Sequence, residues 1–410
     1  MAGEDYIWVY NGGLFTNIDL KWKVKNSVCS IVIISLLLAV AVACVNSQAK
    51  SNAGDIVKLI PPYVKDSIYM RTDNPFTAAK ADLGHYFFYD RRMSVNQTKS
   101  CASCHAQAFS FTDGYRRSIG ALGDNVQHNA PALINLVFNK YLTAADSTLH
   151  FPEQQINNPM FHNKPVELGW KDNESMIMER LKKDSLYSRQ LPLIFGDVAT
   201  AFTVKNIQDC ISCFIKTILS FNSPYDRYVF NKDTTALSAA QKRGMLLFFS
   251  DKLNCQRCHG GINFSVPALF NDDSSVAYYQ NTGLYNTDDK GAYPAADAGL
   301  IEFTGQRADM GKFLVPTLRN LAFTAPYLHD GTASSLTDII DIYAGGGRII
   351  KIGVNRGDGR KNPYKNPLVQ GFAITAAEKK DLIDFLLSLS DSSICVDKKY
   401  SNPFLKDETR

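Results

Sequence analysis

Cys101-Ala102-Ser103-Cys104-His105 sets two thiols three positions apart, with an imidazole directly after the second. Each thiol can add across one vinyl group of a single porphyrin. The histidine then lies beneath the ring, where its imidazole takes the proximal position on iron. Cys255-Gln256-Arg257-Cys258-His259 repeats the arrangement. The competing reading of such a string is half of a zinc site, but no further paired His/Cys cluster is present to complete a tetrahedral shell. The spacing therefore predicts two covalently bound haem c groups, with His105 and His259 as proximal ligands. Of the nine cysteines, Cys210 and Cys213 share the spacing but are followed by Phe214, so they make no third site. Their surroundings, Ile207 to Leu219, carry apolar residues at helical intervals, which favours two buried helix cysteines, with a redox pair as the alternative.

The elements that must position these motifs are mostly helical. Leu83-Gly84-His85-Tyr86-Phe87-Phe88 precedes the first motif, and Arg243-Gly244-Met245-Leu246-Leu247-Phe248-Phe249 precedes the second. A glycine followed by paired phenylalanines at similar offsets suggests an internal duplication, hence two cytochrome c-like haem lobes with long connecting loops. Leu237 to Gly244 starts a helix expected to deliver Phe248 and Phe249 against the haem. Ser335-Leu-Thr-Asp338 opens a helix to about Tyr343. Thr375-Ala-Ala-Glu378 opens another through Leu389, with an apolar stripe at Leu382, Phe385, Leu386 and Leu389. The stretch 263–311 is rich in Asp, Asn, Gly and Tyr and reads as loop, and no strand pairing stands out.

Length and composition agree with this plan. A chain of 410 residues, 45% hydrophobic and 20% charged, exceeds one ordinary core. A net charge of +4 without blocks of like charge gives no nucleic-acid arm. Lys21, Lys23 and Lys25 precede an apolar run from Val28 to Val45, an export signal. Ala41-Val42-Ala43-Cys44 resembles a lipoprotein cleavage site, so a lipid anchor on Cys44, an uncleaved helix and plain secretion all remain open. Each puts the folded part in the periplasm or cell envelope. The organisation is then 1–46 leader, 47–74 tether and lead-in, 75–232 N-terminal haem domain, 233–395 C-terminal haem domain and 396–410 tail, with Cys395 alone near the end.

Leu314-Val-Pro-Thr-Leu-Arg-Asn320, Thr324-Ala-Pro-Tyr-Leu-His-Asp-Gly331 and Ser335 to Tyr343 resemble the C-terminal lobe of bacterial di-haem cytochrome c peroxidases and MauG. Ser118-Ile-Gly120, Asn129-Ala-Pro131, Gln155 to Pro159 and Val166-Glu167-Leu168-Gly169 extend the likeness to the N-terminal lobe. The resemblance implies that peroxide binds at the His105 haem, with Glu167 as the distal acid and base and Gln155 as its support. Met160 to Lys164 add length to that stretch compared with the family pattern. The family's capping histidine is replaced by Ala121, which cannot ligate iron, so this haem is expected to be five-coordinate and active without pre-reduction. His128 is the one substitute at hand, while His85, His150 and His162 read as packing or surface residues.

At the second haem the matching sixth ligand is Tyr343, as in MauG, with Met310 its rival. The family's inter-haem tryptophan is missing, Ala145-Asp146 standing in its place, and Tyr141 or Trp170 are the substitutes available. The resemblance further implies one calcium ion on Asn129 and the carbonyls of Thr324 and Pro326. It also places His329 on a haem propionate or neighbouring backbone, and Arg319 on a propionate. The implied activity is reduction of hydrogen peroxide to water with electrons entering at the second haem from a small cytochrome or cupredoxin, or another reductant. MauG-like oxidation of a protein substrate through a high-valent di-haem state and a non-catalytic di-haem electron carrier are the alternatives. A homodimer and an N-terminal membrane tether complete the expectation.

Overall fold

The computed structural model describes residues 56–265 and 278–405. It is mostly α, and the elements used below are, in chain order, helices α1 (Ala78–Tyr89), α2 (Pro152–Gln155), α3 (Asn157–Phe161), α4 (Val204–Lys216) and α5 (Ala239–Phe248), strands β1 (Tyr279–Gln280) and β2 (Phe313–Leu314), helix α6 (Leu336–Ala344), strands β3 (Ile349–Ile350) and β4 (Gly357–Asp358), and helix α7 (Ala376–Ser388). Both strand pairs are antiparallel. The expectation of an unpaired loop over 263–311 therefore needs correcting, since Tyr279 pairs with Leu314 and Gln280 with Phe313. A two-residue strand is too short to leave an alternation signal in sequence.

Two helix pairs repeat the same construction. Thr77 caps α1 by accepting from Lys80 N, and Ser238 opens α5 in a reciprocal box with Gln241. α1 crosses α4, and α5 crosses α7. At each crossing a glycine lets the backbones touch. A Cβ on Gly84 would lie 1.9 Å from the Cys210 carbonyl oxygen, and one on Gly244 1.9 Å from that of Asp381. No other residue fits either position without parting the helices. Phe87 and Phe88 pack with Cys210, Ile211 and Phe214 in the first pair, and Phe248 with Leu382, Phe385, Leu386 and Leu389 in the second. Burial of one such side chain is worth roughly 1.5–3 kcal/mol, so these stripes hold the pairs together. Phe249, expected inward with Phe248, is 37% exposed.

The ends of the chain are more engaged than a tether and a tail would be. Ile56, Ile60, Val64 and Ile68, spaced four apart, pack against Val137, Phe138 and Phe221, so the lead-in is folded from residue 56 onward. Tyr400 is buried, its hydroxyl donates to Thr217 O at 2.6 Å, and its carbonyl accepts from the Tyr89 hydroxyl at 2.6 Å. The segment beyond 395 thus closes over both helices of the first pair. The leader, with Cys44, lies outside the described residues. Among those described, no helix is long and apolar enough to cross a membrane.

Candidate haem-binding sites

Each Cys-x-x-Cys-His string forms one 3-10 turn, Cys101–Ser103 and Cys255–Arg257. The turn closes by His105 N donating to Cys101 O (3.0 Å) and His259 N to Cys255 O (2.9 Å). All four thiols are free rather than paired as disulfides. Burial, with the neighbouring Cys104 adding to it, pushes Cys101 up to about 12, and burial pushes Cys104 up to about 11 and Cys255 up to about 12. They persist as thiols, not thiolates.

The histidines are fixed alike. His105 Nδ1 lies 2.9 Å from Phe111 O, and His259 Nδ1 3.0 Å from Phe264 O. A carbonyl only accepts, so Nδ1 carries the proton and Nε2 keeps the lone pair for iron. Burial lowers both imidazole pKa values, favouring the neutral ring that ligation requires. Phe111 (φ 61°) and Phe264 (φ 52°) both sit in the left-handed region, a costly choice for a bulky residue that turns each carbonyl onto its histidine. Two free thiols and one neutral imidazole of fixed tautomer fit a haem c at each motif. Among the described residues no group of three His, Cys, Asp or Glu side chains can hold a metal ion, which leaves the zinc reading without ligands there.

Beside the first motif stands Glu167. Its backbone oxygen accepts from Ala121 N at 2.8 Å, and the preceding residue's N–H donates to Asp124 Oδ2 at 2.9 Å. Asn96 Nδ2 holds Ala121 O at 2.6 Å. The Glu167 and Ala121 segments are thereby bound together at the site, a role for Asn96 and Asp124 that no local pattern in the sequence signals. The Glu167 carboxyl hydrogen-bonds to none of the described residues, and burial alone pushes its pKa up to about 7. Its charge is felt by both Cys101 and Cys104, which puts the carboxyl within electrostatic reach of the haem attachment points. Ala121 is buried and offers no donor atom. Gln155, at the end of α2, accepts a long bond from Asn158 Nδ2 (3.4 Å), and no hydrogen bond links it to Glu167.

At the second motif Tyr343 projects from α6. Burial, then the Cys258 and Cys255 charges, push its phenol pKa well above the ordinary value, so the side chain lies near those thiols. Met310 packs instead among Leu284, Tyr285, Tyr293 and Phe313, a cluster that contains neither cysteine. His128, the substitute considered for the first iron, is engaged with Asp297 Oδ1 through Nε2 at 2.9 Å. Trp170 is fully buried in the N-terminal core, bonded to Met93 O. Tyr141 packs with Tyr279 and Leu300. Cys210 and Cys213 are buried helix cysteines, His85 stacks on Phe214, and His162 is exposed.

The propionate assignment of Arg319 needs correcting. Arg319 is fully buried, and its Nη1 and Nη2 donate to the two oxygens of Asp226 at 2.9 Å each, while Nε donates to Ile262 O at 2.7 Å. It braces the loop that ends in Phe264 O, the acceptor for His259, because the buried Asp226 carboxylate claims the fork of the guanidinium. His329 stacks on Phe313 at 3.5 Å between ring centres. Its Nε2 is 3.3 Å from Asp297 Oδ2 but out of line for a hydrogen bond. Its carbonyl accepts from Asn129 N at 2.8 Å. Asn129 Nδ2 donates to Tyr115 O at 2.8 Å, and the carbonyls of Thr324 and Pro326 accept no hydrogen bond among the described residues. Neutral oxygens of this kind fit a hard cation such as calcium, weakly held.

A family model described as di-haem cytochrome c peroxidase matches residues 78–234. Cytochrome-c peroxidase IdrP1 of Pseudomonas sp. (strain SCT) is 32% identical over 378 residues, 88% of this chain and 92% of that one. Methylamine utilization protein MauG of Methylorubrum extorquens is 28% identical over 319 residues, 77% of this chain and 79% of the relative. Among solved structures, a MauG-like protein associated with microbial copper homeostasis superposes with a TM-score of 0.80 at 38% identity, over 84% of this chain and 99% of that one.

Proposed function

The chain belongs to the di-haem cytochrome c peroxidase family and is a cytochrome-c-peroxidase-like oxidoreductase, and on that premise we propose that it reduces hydrogen peroxide at the His105 site, one peroxide, two electrons and two protons giving two waters. The bound haems supply a peroxide-binding iron at the first motif and a relay for electrons from an external donor protein or small reductant at the second. The observation that carries this reading is the Glu167 carboxyl, which hydrogen-bonds to none of the described residues and which burial pushes up to about 7, on a segment whose backbone is bonded to Ala121, a residue that cannot ligate iron. In that position Glu167 takes the proton from the incoming peroxide oxygen and returns it to the leaving one. Gln155 lends a further polar group to the distal side.

The haem-loaded, fully oxidised protein is expected to turn over hydrogen peroxide without pre-reduction. Activity that appears only after a reductive step would remove the basis for the Ala121 argument. Export to the periplasm or cell envelope, a lipid anchor at Cys44, a calcium ion on Asn129, Thr324 and Pro326, and a homodimer belong to the same proposal.

Tyr343 favours a second reading, in which the two electrons that reduce peroxide are withdrawn from a protein substrate, as the likeness to MauG and a MauG-like protein suggests. An anionic phenolate ligand favours ferric iron and lowers the potential of the second site. Tyr343→Phe is expected to convert a six-coordinate ferric electron paramagnetic resonance signal to a five-coordinate one. An unchanged spectrum assigns the ligand elsewhere.

A further inference from the structure

Lys216 and Glu153 form a salt bridge of 2.6 Å in which the two side chains are 0% and 3% exposed. Asn74 Nδ2 donates to the same Glu153 Oε1 at 2.6 Å, and Lys80 Nζ holds Asn74 Oδ1 at 3.0 Å. Glu153 Oε2 has no hydrogen-bond partner. A buried pair of this sort gives little net stability compared with two apolar side chains of similar volume. What it does supply is direction. Glu153 lies on α2, only four residues long, and a helix of that length cannot hold its own place. Lys216 ends α4, which is packed along its length against α1.

The chain of contacts continues from α2 to the first haem site. Ile156 N donates to Pro152 O at 2.8 Å, joining α2 to α3. Gln208 of α4 bonds Met160 Sδ at 3.7 Å. Pro159 O and Met160 O, both on α3, then receive Leu168 N (2.9 Å) and Trp170 N (2.8 Å). Glu167 is the residue before Leu168. Its segment is therefore hung from α3 on one side and from Ala121 and Asp124 on the other.

We infer that the buried Glu153–Lys216 pair is the positioning device for Glu167, registering α2 and α3 on α4 and so fixing the carboxyl beside Cys101 and Cys104. This rests on the acid–base reading of Glu167 given above. Neither Glu153 nor Lys216 touches the reacting atoms; they act through the backbone of 159–170. A shift of the carboxyl by about 1 Å is enough to cost on the order of 100-fold in rate.

The test uses the haem-loaded full chain with hydrogen peroxide and a reduced donor, and carbon monoxide binding to the reduced protein as a ligand that needs no proton. Glu153→Asp keeps the pair buried and charged but is one methylene shorter. It is expected to lower kcat roughly 10- to 100-fold with carbon monoxide affinity within about twofold of the wild type, and Lys216→Arg to retain most of the rate. The paired variant Glu153→Gln/Lys216→Met is expected to behave as Glu153→Asp does; if it does not fold, the two charge-preserving variants decide. Full kcat in a folded Glu153→Asp, while Glu167→Gln is inactive, overturns the positioning role alone. A parallel loss of carbon monoxide binding overturns it too, by showing a general loosening of the site. Wild-type rate in Glu167→Gln instead removes the acid–base reading and this inference with it.

Discussion

Glu167→Gln is expected to lower the peroxide-dependent rate by about 10²–10⁴-fold, the range over which a positioned acid–base group contributes, while both haems remain bound and carbon monoxide still enters. The amide is nearly isosteric but neither accepts nor returns a proton at neutral pH. In the wild type, burial has pushed the carboxyl up to about 7, so the fraction ready to accept the peroxide proton grows as pH rises. The rate is therefore expected to climb from pH 5 and level off above about 8, and the profile of the variant to be flat over that window. Stability runs the other way. A carboxyl whose folded pKa lies above its unfolded value favours the folded state at low pH and penalises it as pH rises through and beyond the unfolded value. Removing the charge lifts that penalty near neutrality, and a variant that loses rate while its melting temperature holds or rises separates chemistry from folding. A variant with the wild-type rate and profile would end the argument for Glu167.

Arg319→Met should be the most damaging single change to stability outside the haem ligands. Arg319 and Asp226 are 0% and 1% exposed at the side chain, joined through the two terminal guanidinium nitrogens. Taking away one partner strands a carboxylate in the interior, at a cost of about 3–5 kcal/mol. Removing both, as Arg319→Met/Asp226→Asn, should recover much of that loss. The measurement is urea unfolding of the haem-loaded protein, and a single variant as stable as the double would refute the account. A local effect accompanies the global one. With Nε gone from Ile262 O, the loop leading to Phe264 loosens, and the His259 signal in the ferric electron paramagnetic resonance spectrum is expected to broaden relative to that of His105.

The haem motifs were legible in the residues because covalent attachment demands two thiols and an imidazole at fixed, short spacing, and no long-range contact alters that chemistry. Two of the helices were legible for a related reason. The openings at Ser335 and Thr375 and the stripe from Leu382 to Leu389 are local signals, and the structure ends those two helices within a residue of the expected positions. The glycines at 84 and 244 were visible as a repeat, yet their purpose was not, because the carbonyls they admit belong to Cys210 and Asp381, more than a hundred residues away.

Charged side chains were the least predictable. Arg319 carries no sequence mark that distinguishes a propionate partner from an Asp226 partner, and Tyr400 none that separates a tail from a closing strap. Which counter-charge a guanidinium meets, and whether a terminal tyrosine is covered, depends on the packing of distant segments. The sequence alone determined the cofactor chemistry and the helical class, since both follow from spacing within a few residues. Only the tertiary structure decided the partners of the buried charges and the surroundings of Glu167, because the desolvation that raises its pKa and the bonds that hold it come from residues 96, 121, 124 and 159, brought together by folding.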